Sequence, residues 1–138
     1  MFDLYKITLI RVQRPRTDNI NDKLRWLGLS LGLFGLRDKD RSCFRIFIEL
    51  VKAAKQNRSV SSDNISDSLG LTRGTAIHHL NKLIEAGIAT THKNRYELRV
   101  GHLEDLVDEV RSDIERMTRD LKVVAREVDR YLDTGQQE

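Results

Sequence analysis

"NISDSLGLTRGTAIHHLNKLIEAGI", residues 64–88, holds two helical patterns divided by a single glycine. In the first, Ile65 and Leu69 recur four residues apart, a spacing that puts both side chains on one helix face. Gly70 supplies a sharp exit, because glycine reaches positive φ without a Cβ clash. Thr72 stands where an N-cap is needed, with a hydroxyl that accepts from backbone N–H groups the helix leaves unpaired. In the second pattern, running from Thr72 to Ala86, Ala76, Leu80, Leu83 and Ile84 share an inward face, and Gly87 closes the helix. Arg73, Thr75, His78, His79 and Lys82 are left for the other faces, and Gly74 leaves room near the helix start.

The neighbouring stretches extend this pair into a domain. Downstream, "IATTHKNRYELRV" (88–100) reads as two strands around "HKNR", with Asn94 suited to a tight turn and Lys93, Asn94 and Arg95 at its tip. Upstream, "RSCFRIFIELVKAAKQ" (41–56) is a helix pattern with Cys43, Phe47, Leu50 and Ala54 on one face, and Asp38 or Asp40 can cap it. Between them "SVSSDN" offers a turn and a capping serine. Helix, helix, turn, helix, hairpin is the order of a winged helix-turn-helix. The fold class is therefore mainly α with a small β component, and this domain takes residues 38–100.

Two stretches precede it, over residues 1–37. In "FDLYKITLIRVQRPR" (2–16), β-branched residues and rough alternation predict a short strand from Leu4 to Val12, ended by Pro15. Lys6, Arg11, Arg14 and Arg16 face only one acid there, Asp3, a surplus of three that equals the formal net charge of the whole chain, +3. An ordinary solvated strand face and a contact surface for RNA both fit. In "TDNINDKLRWLGLSLGLFGL" (17–36), Asp18 can cap a helix starting near Asn19, with Ile20, Leu24, Leu27, Leu31 and Phe34 as its apolar stripe. Gly28, Gly32 and Gly35 would cost an exposed helix about 1 kcal/mol each against alanine. They make sense where another backbone packs closely, in a hairpin that completes the core or in a docking surface.

After the winged domain, residues 101–134 form one long helix. Leu103, Val107, Val110, Ile114, Met117, Leu121, Val124, Val128 and Tyr131 repeat at alternating intervals of four and three, an unbroken heptad. Val107, Ile114, Leu121 and Val128 fall at a when Val110, Met117, Val124 and Tyr131 fall at d. One narrow apolar seam on a helix of this length needs a partner. Dimerisation through a second copy supplies one, and packing along the chain's own domain is the rival.

Composition excludes several classes of function. One cysteine, Cys43, rules out an internal disulfide framework and a multi-cysteine zinc site. The adjacent histidines point about 100° apart on a helix and complete no His-x3-His pair, so metal and cofactor are both expected to be absent. There is no phosphate-binding glycine loop, zinc-protease HExxH or nucleophile elbow, so the chain is not expected to be an enzyme. The most apolar stretch, Trp26 to Leu36, is well short of the roughly 20 residues that cross a bilayer. With no basic-then-apolar leader at its start, the protein is expected to be soluble and cytoplasmic. A pI near 9.2 fits a polyanionic partner.

"NISDSLGLTRGTAIHHLNKLIEAGIAT" with the wing "THKNRYELRV" resembles the winged-helix domain of bacterial and archaeal transcriptional regulators, close to the ArsR-like group. The resemblance implies that the helix from Thr72 to Ala86 enters the DNA major groove. Arg73, Thr75, His78, His79 and Lys82 would be its contacts, and Lys93, Asn94 and Arg95 would reach phosphate or the minor groove. The paired-cysteine motif of the metal-sensing members is missing. A dimeric, sequence-specific regulator of transcription that binds double-stranded DNA follows as the expected function. The whole layout, from basic strand through "RWLGLSLGLFGLRDKDRSCFRIF" to the long terminal helix, is also similar to a small archaeal group that includes a ribosome-dimerising factor. That resemblance implies the alternative: a homodimeric factor on the small (30S) ribosomal subunit, promoting subunit dimerisation and hibernation, with Lys6, Arg11, Arg14 and Arg16 against ribosomal RNA.

Overall fold

The computed structural model describes residues 5–35 and 41–135. Helix α1 spans Ile20–Ser30, α2 Ser42–Lys55, α3 Ser62–Leu69, α4 Arg73–Glu85 and α5 Leu103–Asp133. Three short strands accompany them: β1 Val60–Ser61, β2 Ala89–His92 and β3 Arg95–Leu98. The sheet order is β1-β3-β2, antiparallel throughout, with Val60 opposite Tyr96 and Ala89 opposite Leu98. The order of elements is a winged helix-turn-helix followed by a long helix. The chain falls into two compact units, Met1–Leu106 and Val107–Glu138.

The core of the first unit follows from the periodicities. In α2, Cys43, Ile46, Phe47, Leu50 and Ala53 are buried, recurring at three- and four-residue steps. Ala54, placed on that face by the sequence, is only partly buried, and Ala53 takes the fully buried position. Ile65 from α3, Ala76, Leu80 and Leu83 from α4, and Ile88, Tyr96 and Leu98 from the hairpin close around them. The sheet carries one strand the sequence did not announce. β1 is two residues long, and its only ladder is with β3, a partner more than thirty residues away.

Several expectations about the flanks need correction. The predicted strand from Leu4 to Val12 does not form: residues 5–19 are irregular, and Leu4 lies outside the described residues. The backbone donors of this segment go instead to helix ends, Lys6 N–H to the Glu85 carbonyl (2.7 Å) and Ile10 N–H to the Ser30 carbonyl (2.8 Å). Those bonds satisfy two of its donors, and its exposed positions can turn their remaining backbone groups to water. The first helix is capped by Asn19 rather than Asp18, through a side-chain oxygen that accepts from the Asn21 and Asp22 N–H groups. Its apolar stripe is only partly covered, and Ile20 is 64% exposed. The N-cap of α2 falls on Arg41 (φ 50°), which donates no side-chain cap. Its guanidinium lies over the Phe34 ring, 5.1 Å from the centroid, a cation–π contact. The alternative caps Asp38 and Asp40 lie outside the described residues.

Two of the three glycines of the apolar segment mark close approaches, though of side chains and not of the second backbone expected. A Cβ on Gly28 would sit 2.5 Å from Phe44 Cδ1 and 2.8 Å from Phe34 Cε1. Gly32 has φ +71° and would place a Cβ 2.8 Å from the Thr8 methyl. Among the described residues, none lies within 4 Å of the corresponding point on Gly35. The segment thus completes the core of the first unit, as the hairpin reading expected. Gly28→Ala forces two packed aromatic rings (Phe34 and Phe44, centroids 5.0 Å apart) to move. Overpacking of this kind costs about 1–3 kcal/mol, against roughly 1 kcal/mol gained in helix propensity. A lower urea midpoint is the expected result, and an unchanged midpoint would show that the rings yield freely.

Within α5, Val110 is 6% exposed and Leu103 and Ile114 are half-buried. The other heptad positions, Val107, Met117, Leu121, Val124, Val128 and Tyr131, are between 40% and 67% exposed. Arg111 pairs with Glu115 (3.4 Å) one turn on, and Arg116 with Asp113. No described helix is long and apolar enough to cross a membrane.

Candidate nucleic-acid interface

The turn between α3 and α4 is fixed at both ends by side-chain chemistry. Ser61 accepts from the Asn64 N–H (3.0 Å) while the Asn64 side chain accepts from the Ser61 N–H (3.2 Å), a reciprocal capping box. Gly70 (φ 66°) ends α3, the Leu71 N–H returns to the Ser66 carbonyl, and the Ser66 hydroxyl donates to the Leu71 carbonyl. Thr72 then caps α4, accepting from the Thr75 N–H at 3.1 Å. With Ala76, Leu80 and Leu83 held in the core, the register of α4 is set, and so is the identity of its outer face.

That outer face carries Arg73, Gly74, His78, Asn81, Lys82 and Glu85, all exposed. Of the five α4 contacts the sequence nominated, Arg73, His78 and Lys82 point to solvent. Thr75 is half-buried and its hydroxyl accepts from that of Thr72 (2.8 Å), which ties it to the cap. His79 is half-buried beside His78, with ring centroids 5.2 Å apart. Open space surrounds the missing Cβ of Gly74, so the helix start presents bare backbone. Arg73 meets Asp63 of α3 at 3.5 Å, but both side chains are well exposed, and such a pair contributes at most about 1 kcal/mol. A phosphate can take the guanidinium away from it. Asn81 was missed by the sequence reading, although it lies seven residues beyond Gly74 and three beyond His78, on the same helical face.

The wing turns at Lys93 (φ 49°) and Asn94 (φ 62°), two positive-φ residues between the paired His92 and Arg95. That is the pattern of a two-residue type I′ turn. Lys93 and Asn94 stand exposed at its tip. Arg95 is exposed as well, but part of its guanidinium is engaged within the domain. Its Nε donates to Ser59 Oγ (3.0 Å) and its Nη2 to the Ser59 carbonyl (2.7 Å), which fastens the wing to the loop before β1. The cause is register, since Arg95 lies opposite Ser61 and so within reach of Ser59.

The N-terminal cations Lys6, Arg11, Arg14 and Arg16 are all exposed. Lys6 shares a shallow cleft of about 180 Å³ with Lys82 and Glu85 at the far end of α4, which brings one residue of each nominated set together. Among the described residues, no group of three His, Cys, Asp or Glu side chains is placed to hold a metal ion.

No curated protein and no solved structure matches the chain. Residues 49–91, from the second half of α2 into β2, match the bacterial regulatory protein family called arsR, a similarity that takes in the helix-turn-helix and the first strand of the wing and supports DNA binding by this part of the chain.

Proposed function

We propose that the protein is a homodimeric transcriptional regulator that binds double-stranded DNA in a sequence-specific way. The carrying observation is the outward face of α4, where Arg73, His78, Asn81 and Lys82 stand exposed on the part of the chain that matches the arsR family. In the major groove, Arg73 and Lys82 sit toward the two ends of the helix, where a long cation meets phosphate. Asn81 lies between them, and its amide can pair with both the acceptor and the donor of an adenine edge. Lys93 at the wing tip supplies a further phosphate contact. The partner across the α5 seam is a second copy of the chain. Six exposed apolar side chains in heptad register match an identical row, and the mostly β-branched a positions suit two strands. Two reading helices in one dimer then address successive turns of a duplex.

Enrichment of genomic duplex fragments by the full chain, followed by a salt titration on the preferred fragment, tests this reading. Asn81→Ala is expected to relax preference at one position of each half-site, by about 1–3 kcal/mol of discrimination. Lys93→Gln is expected to weaken binding evenly across sequences and to lower the salt slope by about one per protomer. The reading fails if no fragment is preferred over bulk DNA.

The exposed N-terminal cations favour a second reading, a factor bound to the small ribosomal subunit. None of Lys6, Arg11, Arg14 and Arg16 has an ion-pair partner among the described residues. Co-sedimentation with small subunits, lost when Lys6, Arg11 and Arg14 become glutamine, together with no preferred duplex, would replace the first reading with this one.

A further inference from the structure

Away from α3, α4 and the wing, the segment before α1 and the first turns of that helix enclose a cleft of about 630 Å³. Three cations converge on it, Arg14 and Arg16 from the segment and Lys23 from α1, against one carboxylate, Asp18. None of the three cations has an ion-pair or side-chain hydrogen-bond partner among the described residues. The wall between them includes Trp26. Its Nε1–H donates to the Val12 carbonyl at 2.9 Å, so the indole is held in one orientation, and it stays only half-buried. Unpaired cations grouped in a concavity create a local field that attracts anions.

We propose that this cleft binds a nucleoside phosphate, with the base against Trp26 and the phosphate held by Arg14, Arg16 and Lys23. The volume lies within the range of small-ligand sites, about 300–1,000 Å³. Inorganic phosphate alone would leave the indole and most of the space unused. A planar base joined to a phosphate uses both parts of the wall: base–aromatic stacking contributes about 1–3 kcal/mol, and the guanidinium groups take the charge. Fixing the ring in advance lowers the ordering cost of binding. The nucleoside phosphate can be a free mononucleotide or one unit of an exposed single strand, since both present the same chemistry. The inference stands apart from duplex recognition by α4, because the two surfaces share no residue.

Trp26 is the only tryptophan in the chain, so its fluorescence reports this cleft alone. The full-length protein is titrated with ATP, with an eight-nucleotide single-stranded RNA and with inorganic phosphate at fixed salt. The expected result is saturable quenching by ATP or by the RNA, and none by phosphate over the same range. Quenching by ATP assigns the site to a free nucleotide, and quenching by the RNA alone assigns it to a strand. In Arg14→Gln with Arg16→Gln, the apparent affinity is expected to fall at least tenfold while circular dichroism stays unchanged. Should that double variant lose its fold, Lys23→Gln gives the same reading from the other wall, with a smaller expected loss. The proposal is overturned if neither nucleotide ligand alters the fluorescence, if folded variants bind as wild type does, or if inorganic phosphate quenches equally well.

Discussion

If the proposed homodimer forms through α5, Leu121→Asp combined with Val128→Asp is expected to turn it into a monomer. Leu121 is 67% exposed and Val128 50% exposed in the single chain, so neither is needed to fold it. Both are a positions of the heptad, where a two-stranded seam brings each residue against its own copy. The double variant would place four carboxylates in that seam with no cation to meet them. Each buried, unpaired charge costs several kcal/mol, and a single coil of this length has no comparable reserve. Light scattering should read the 16.0 kDa of one chain where the wild type reads twice that, at an unchanged helical signal from the winged domain. A variant that stays dimeric would place the interface off α5. Val110 is the wrong residue for this test despite its d position, because it is already buried in the single chain.

The second large effect is on stability. Phe47 has no exposed surface and stands at the centre of α2, with its ring 6.4 Å from that of Phe44. Phe47→Ala removes the ring and leaves a cavity between α2 and the elements packed on it, at a cost of about 3–5 kcal/mol. Domains of this size are stable by only about 5–15 kcal/mol, so much of the margin disappears. The urea midpoint should fall steeply with the slope unchanged. Duplex binding should fail only as the folded fraction falls, because Phe47 is fully buried and is not itself on the outward face of α4. A shift under 1 kcal/mol would mean that α2 closes on the gap.

The parts of the fold that were legible in the sequence are those set by local spacing. Gly70, Thr72 and Gly87 mark the ends of helices, Ala76, Leu80 and Leu83 set the inner face of α4, and the wing follows from two short strands around one turn. What was not legible depends on partners distant in the sequence. Ile7, Leu9 and Ile10 look like strand residues, but their segment bonds to the ends of α1 and α4, and Leu9 and Ile10 remain 59% and 47% exposed. The β1 strand is too short to carry a period. The site divides in the same way. Arg73, His78, Lys82 and Lys93 could be placed outward from helix or turn geometry alone. The bonds from Arg95 to Ser59 could not be foreseen, because Ser59 lies 36 positions earlier and only the sheet register brings them together. Asn81 could have been found, since a helical wheel anchored on Gly74 and His78 puts it on the exposed face.

One consequence follows from where β2 sits. With β3 in the middle of the sheet, β2 forms an outer border, and half of its backbone donors and acceptors look outward with no neighbouring strand among the described residues. Such a border is a template on which another polypeptide can add itself and start a fibre. Here it is four residues long, Thr90, Thr91 and His92 are exposed, and a lysine follows immediately. Ala89 is its one buried residue. A run so brief and polar offers an incoming strand almost no apolar surface to cover. The wing can therefore project from the domain as an open margin, free to meet a charged ligand, without seeding self-assembly.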